Sequence, residues 1–361
     1  AVPFDAGTLE VLGTPQLVVD SIFGVPFMST YAVSESGSLV YMPGPTPAVG
    51  TSLYIIDADG EEERVATPPR DWLIWGPKLS PDGNRIAFWG SDPSGFSGGL
   101  GDSQLWVLDR SLGDIRAVTE AGPGDFWPEW TPDGRSLVFT STRDAPSMGL
   151  YRLLIDRSEP PTLLLGDGAM AQVGTWLPDD SAMIIQRAAT PESHYDLWLL
   201  PMAADEEPGP LVQGPDNQLH PALSPDGRWL AYASDESGRY EVYVRPYPGL
   251  DEATQVSRAG GMGPAWRSDS RELYFYVSGG DGGSVTTFMR VPIQEGPGEP
   301  ERMWSREGVA TAGWPYGIAY DVIPDGDRLL LPVTDQPIPW FLPELRLILN
   351  WSDELQQRFE R

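Results

Sequence analysis

The sequence predicts an all-β fold of repeated four-stranded antiparallel units, and three observations carry that prediction. A Ser-Pro-Asp-Gly turn, or a near relative of it, recurs along almost the whole chain. A large apolar residue stands immediately before every copy. Gly and Pro are abundant, at 40 and 37 residues, yet the chain also carries 14 Trp, 13 Tyr and 11 Phe. A disordered Gly/Pro-rich chain would lack those aromatics, so the excess reads as turn chemistry between short strands around a large core.

The turn is complete at Ser80-Pro81-Asp82-Gly83 and Ser224-Pro225-Asp226-Gly227. Thr131-Pro132-Asp133-Gly134 and Ile323-Pro324-Asp325-Gly326 differ only in the first residue. Leu177-Pro178-Asp179-Asp180 and Arg267-Ser268-Asp269-Ser270 are degraded copies, and Ser34-Glu35-Ser36-Gly37 is the faintest. The steps between them are 46, 51, 46, 47, 43 and 56 residues. A period of roughly 40–50 residues with strands around each copy is the signature of a β-propeller.

Each strand of the unit has its own justification. The first strand ends at Val33, Leu79, Trp130, Trp176, Leu223, Trp266 and Val322. One residue earlier stand Ala32, Lys78, Glu129, Thr175, Ala222, Ala265 and Asp321, which are small or polar, so one face packs and the other does not. Pro presets φ in the turn, Asp bonds the local backbone, and Gly accepts the positive φ that closes the hairpin. The second strand follows, as in Arg85–Trp89 and Trp229–Tyr232; the third is exemplified by Leu53–Asp57 and Leu105–Asp109. A short fourth strand, such as Arg64–Ala66, ends the unit. The last unit has its hairpin around Tyr320–Val333 and a third strand at Leu345–Leu349, but no fourth. The orphan strand Gln16–Val19 is expected to fill that place and close the ring, which removes exposed edges. The expectation is therefore one propeller domain over residues 1–361, with residues 1–20 supplying the closing strand and 350–361 a short polar helical tail. Seven blades are expected, with six and a stray hairpin as the alternative.

Composition bounds the function. Asp and Glu number 52 against 24 Lys and Arg, a net charge of −28, and Lys78 is the sole lysine. Such a surface repels phosphate backbones and anionic lipid, which argues against nucleic acid and membranes as partners. A salt-rich milieu selects acid-rich, lysine-poor chains, and a GC-rich genome also exchanges Lys for Arg; melts at low and molar salt separate the two. With no Cys, thiol nucleophiles, disulfides and thiolate metal sites are excluded. No apolar run approaches the roughly 18 residues of a membrane span. The opening Ala1-Val2-Pro3-Phe4 is expected of a mature protein or a domain cut from a longer one.

The wording of the repeats carries a resemblance. Asp226-Gly227-Arg228-Trp229-Leu230-Ala231-Tyr232, followed by Glu236-Ser237-Gly238-Arg239-Tyr240-Glu241-Val242-Tyr243-Val244-Arg245-Pro246-Tyr247-Pro248-Gly249, resembles the TolB-like propeller at the C-terminal end of many bacterial Ser/Thr protein kinases. Val2-Pro3-Phe4-Asp5 and Leu347-Ile348-Leu349-Asn350-Trp351 resemble that group too. The resemblance implies a sensing or docking domain outside the cytoplasm, beyond a membrane-spanning segment, and brings no catalytic residue. Kinase motifs are absent from the chain.

Propellers bind at the mouth of the central channel, on residues leading into the first strand. By fixed offset from the turn, Trp75, Lys78, Asp125, Trp127, Glu129, Gln218, His220 and Asp321 are the candidate ligand-binding residues. Trp75 and Trp127 read equally as packing between blades, and the charges as solvated. With only His194 and His220 a multi-histidine metal site is excluded. Calcium held by Asp125, Glu129 and Asp321 remains open, since calcium takes carboxylate oxygens. Gly95-Phe96-Ser97-Gly98-Gly99 fits a nucleophile-elbow pattern, but no helix follows it, so it reads as a flexible loop like Gly279–Gly283. The expected function is a non-catalytic propeller that binds a protein, peptide or small molecule as a monomer. The alternative is a calcium-dependent hydrolase working through Asp125, Glu129, Asp321 and His220.

Overall fold

The computed structural model describes residues 4–5, 10–11, 31–34, 38–41, 50–66, 73–91, 103–143, 148–190, 193–203, 205–278, 285–309, 320–324, 327–334 and 346–348. Among them every element is a strand. The chain divides into two compact units, the smaller formed by residues 1–48, 96–99 and 339–361 and the larger by 49–95 and 100–338.

The smaller unit holds the hairpin of β1 (Phe4–Asp5) and β2 (Glu10–Val11), and a sheet of β3 (Tyr31–Val33), β4 (Leu39–Tyr41) and a strand from the far end of the chain. The larger unit begins with β5 (Thr51–Ile56) and β6 (Glu62–Ala66). Five four-stranded antiparallel meanders follow. They are β7 (Leu73–Leu79), β8 (Arg85–Ser91), β9 (Gln104–Asp109) and β10 (Asp114–Ala117); then β11 (Asp125–Trp130), β12 (Ser136–Ser141), β13 (Gly149–Leu154) and β14 (Thr162–Leu165). Next come β15 (Met170–Trp176), β16 (Ala182–Ala188), β17 (Asp196–Pro201) and β18 (Gly209–Val212). The fourth is β19 (Gln218–Leu223), β20 (Trp229–Ser234), β21 (Glu241–Pro246) and β22 (Thr254–Gln255); the fifth is β23 (Met262–Trp266), β24 (Glu272–Ser278), β25 (Val285–Pro292) and β26 (Glu301–Glu307). The sixth sheet joins β27 (Asp321–Ile323) and β28 (Arg328–Thr334) to β5 and β6, with Leu329 opposite Ile56 and Thr334 opposite Thr51. The last strand, β29 (Arg346–Ile348), pairs with β4.

Each turn copy therefore seeds one hairpin. Six of the seven hairpins grow to four strands, and β3–β4 grows to three among the described residues. Two predicted strands exchange places. The third strand assigned to the first unit is β5, which completes the last sheet instead; the strand expected to complete the last unit is β29, which sits on β4. The alternation of side chains fixes which face of a strand is buried, but it does not name the edge to which the strand adds. The expected closing strand Gln16–Val19, the tail 350–361, and the loops 95–99 and 279–283 lie outside the described residues.

The turn chemistry is as the sequence reads. Asp82 Oδ1 accepts from Ser80 Oγ and from the Asn84 amide, and Gly83 sits at φ 71°. The degraded copies keep the left-handed residue without glycine: Asp180 has φ 62° and Ser270 φ 61°.

The apolar core is a series of clusters, each wedged at a junction between neighbouring sheets of the larger unit. Leu105, Phe126 and Phe139 fill the first; Val138 and Ile185, then Ile184 and Tyr232, fill the next two. Val244 with Phe275, and Tyr276 with Leu331, follow. Ile55, Leu330 and Phe88 fill the junction where the last sheet meets the first. Trp residues at the ends of the first strands stitch these junctions. Trp130 Nε1 donates to Lys78 O at 3.0 Å, Trp176 Nε1 to Trp130 O at 2.8 Å, and Trp266 Nε1 to Ala222 O at 2.9 Å.

Candidate functional site on the inner strands

The first strands β7, β11, β15, β19, β23 and β27 adjoin one another in succession, and β27 adjoins β7. Five of them carry the same irregularity. Pairing slips between Trp75 and Lys78, Phe126 and Glu129, Gln172 and Thr175, Leu219 and Ala222, and Met262 and Ala265. The bulge places a left-handed residue four positions before the turn at Gly76 (φ 54°), Trp127 (48°), His220 (53°) and Gly263 (60°). Glycine takes that conformation at no steric cost, whereas Trp and His occupy it under strain of order 1 kcal/mol. At Gly263 a Cβ would stand 2.7 Å from Tyr276 Cε1, so this bulge has no room for a side chain.

Past the bulge, three consecutive inner strands each contribute a charge. Lys78 Nζ on β7 lies 3.0 Å from Glu129 Oε2 on β11, both side chains being 19% exposed. Asp321 on β27 flanks the same lysine, and its Oδ2 accepts from the Leu79 amide at 2.8 Å. Burial opposes the Lys78 charge, but the carboxylates of Glu129 and Asp321 outweigh it and the ammonium pKa is pushed up to about 12. Burial raises Glu129; Lys78 pulls it back in part, while Asp321 adds to the rise. Burial also raises Asp321, against Lys78 and the Leu79 and Val322 amides. At the same position the other three inner strands carry Thr175, Ala222 and Ala265.

The remaining candidates are engaged elsewhere. Trp75 is buried and stacks on Trp89 with centroids 4.5 Å apart; half-buried Trp127 meets Trp89 edge-on at 6.1 Å. The two tryptophans thus share one aromatic partner at the junction of the first and second meanders. Asp125 is fully buried; it accepts from Ser141 Oγ at 2.5 Å and from Arg143 Nη2 at 2.8 Å. Burial raises its carboxyl, with Ser141 and Arg143 opposing. Gln218 Nε2 donates to Asp216 O in its own loop. His220 Nδ1 accepts from the Gly263 amide at 3.2 Å, and its own amide donates to Gln186 Oε1 at 2.7 Å. Gln186 Nε2 in turn donates to Gln172 Oε1.

The carboxylates expected to hold calcium are engaged as follows. No group of three or more His, Asp or Glu able to hold a metal occurs among the described residues. Asp125, expected beside Glu129 and Asp321, spends its oxygens on Ser141 and Arg143 of its own sheet. Glu129 Oε2 is paired with the Lys78 ammonium. Of the set Asp125, Glu129, Asp321 and His220, Glu129 and Asp321 both flank Lys78, while Asp125 is bound to Ser141 and Arg143 and His220 to the Gly263 amide.

Sequence offsets missed three participants. Gln172 stands at the bulge, five residues before its turn, and its partner Gln186 lies directly across the pair β15–β16. Arg143 follows the second strand, where no repeat signal marks it.

No protein-family model matches the chain. It is 23% identical over 211 residues to the uncharacterized peptidase YuxL of Bacillus subtilis, covering 47% of this chain and 32% of that protein. It is 24% identical over 228 residues to the uncharacterized protein Atu1656 of Agrobacterium fabrum, covering 59% and 72%. The oligogalacturonide lyase of Pectobacterium atrosepticum is 24% identical over 225 residues, covering 54% and 55%. The match thus spans about a third of the peptidase and about half of the lyase. Among solved structures, a TolB-assigned protein from Agrobacterium tumefaciens superimposes with a TM-score of 0.65 at 17% identity, covering 80% of this chain and 99% of its own. TolB from Acinetobacter baumannii gives 0.53 at 16% identity, covering 73% and 68%. The fold is that of a TolB-like β-propeller, and the names its relatives carry range from peptidase to lyase.

Proposed function

We propose that the chain is a non-catalytic binding propeller, a sensor or interaction module that takes a protein, peptide or small molecule on its inner strands. The observation that carries this reading is the meeting of Lys78, Glu129 and Asp321 from three separate sheets, 3.0 Å apart at its closest pair, with the paired side chains still 19% exposed. Charges held largely out of water on an inner wall cost stability unless something offsets them, and an inner wall with few convergent polar groups is where propellers bind. The likeness to TolB structures supports the fold part of this reading. The resemblance to kinase-borne propellers supports a location outside the cytoplasm, and the succession of junctions from the first meander back to the last sheet supports a closed ring.

The test is a thermal-shift screen of peptides and sugars on the wild type, Glu129→Gln and Asp321→Asn. Hits are expected to lose their shift in both variants. Hits that shift all three proteins equally would move the binding site off this wall. A large calcium shift, with esterase or lactonase turnover lost in Asp321→Ala, would replace the binding reading by a hydrolytic one.

A further inference from the structure

The three charges of the inner wall do not balance. Lys78 is matched to Glu129 at 3.0 Å, and among the described residues Asp321 is in no ion pair, only in the field of the same lysine. Among the described residues one ammonium therefore serves two carboxylates, one positive charge short. A partly buried carboxylate without its own counter-charge is costly, and an arriving cation recovers that cost. The whole chain carries −28, which raises the local concentration of cations near any such wall.

The geometry also selects the kind of cation. Asp321 Oδ2 already accepts from the Leu79 amide at 2.8 Å, and the Val322 amide also bonds the carboxylate. A guanidinium favours both carboxylate oxygens in a planar fork, whereas an ammonium needs one. A divalent ion needs several oxygens, and the described residues gather no such group.

We propose that Asp321, beside the Lys78–Glu129 pair, receives a protonated amine carried by the ligand. This rests on the binding reading above and names the chemistry of its ligand. The probes are benzylamine and benzyl alcohol, titrated by ligand-detected NMR at pH 7 and low salt. In the wild type the amine is expected to bind at least tenfold more tightly than the alcohol. Asp321→Asn should bring the ratio near one, and Asp321→Glu, which keeps the charge, should preserve it; circular dichroism melts confirm that both variants fold. Equal binding of the two probes, with binding still lost in Glu129→Gln, would overturn the amine inference and leave the binding wall intact. Binding of both probes that no inner-strand substitution changes would overturn the wall itself. Competitive displacement of benzylamine by calcium at equal concentration would show a metal preference and overturn the amine assignment.

Discussion

Lys78 is the chain's sole lysine, and it serves as an internal counter-ion for two carboxylates. Its ammonium titrates near 12 in the folded chain against an ordinary value of 10.5. A raised folded pKa means the stabilisation is fully present below the unfolded value and is lost as pH rises through the folded one. Urea melts of the wild type and Lys78→Met are therefore expected to converge by about 1.5 kcal/mol between pH 9.5 and 12. A constant gap across that range would show that Lys78 titrates alike in both states. The identity of this residue was legible in the sequence, because the offset from the turn placed Lys78, Glu129 and Asp321 in one column. The role of Asp125 was not legible. Its offset put it near the mouth, but the competing partner Arg143 lies beyond the next strand, where a turn-based ruler has no mark.

At the scale of the strand, the apolar column and the polar column were both readable from alternation alone, and the bulge was not. The slip occurs at the same place in β7, β11, β15, β19 and β23, yet its left-handed residue is Gly in two strands and Trp or His in two others. A motif search keyed on glycine would miss half of it. The tryptophans that end the first strands tie sheet to sheet through the indole N–H as well as through area. Trp266→Phe keeps most of the apolar contact but leaves the Ala222 carbonyl without its 2.9 Å donor. The expected cost is about 1–3 kcal/mol in a denaturant melt, the penalty of a buried acceptor left unmade. A loss below about 0.5 kcal/mol would assign the junction to packing alone.

At the scale of the molecule, the turn period predicted seven hairpins and a propeller, and the sequence alone could not tell which end of the chain completes which sheet. The sixth sheet is held by the β28–β5 ladder, with Thr51 opposite Thr334. The chain contains no Cys, so a double variant Thr51→Cys/Thr334→Cys offers a clean cross-link between the two ends of the larger unit. The oxidised form is expected to be more stable than the same protein reduced by about 2–4 kcal/mol. Equal melting of the two forms would mean that the ladder remains paired in the unfolded reference, or that it does not clamp the unit.

That same ladder sets a clock during synthesis. The strands β5 and β6 are made early, but the edge they need, β28, emerges only after the five intervening meanders. A nascent chain therefore carries an apolar strand, Leu53 to Ile56, whose partner does not yet exist. Long-range pairing of this kind forms late and slowly, and a waiting strand is open to wrong partners until it does. The meanders can assemble one by one as they appear, while the last sheet waits for its distant strands to meet.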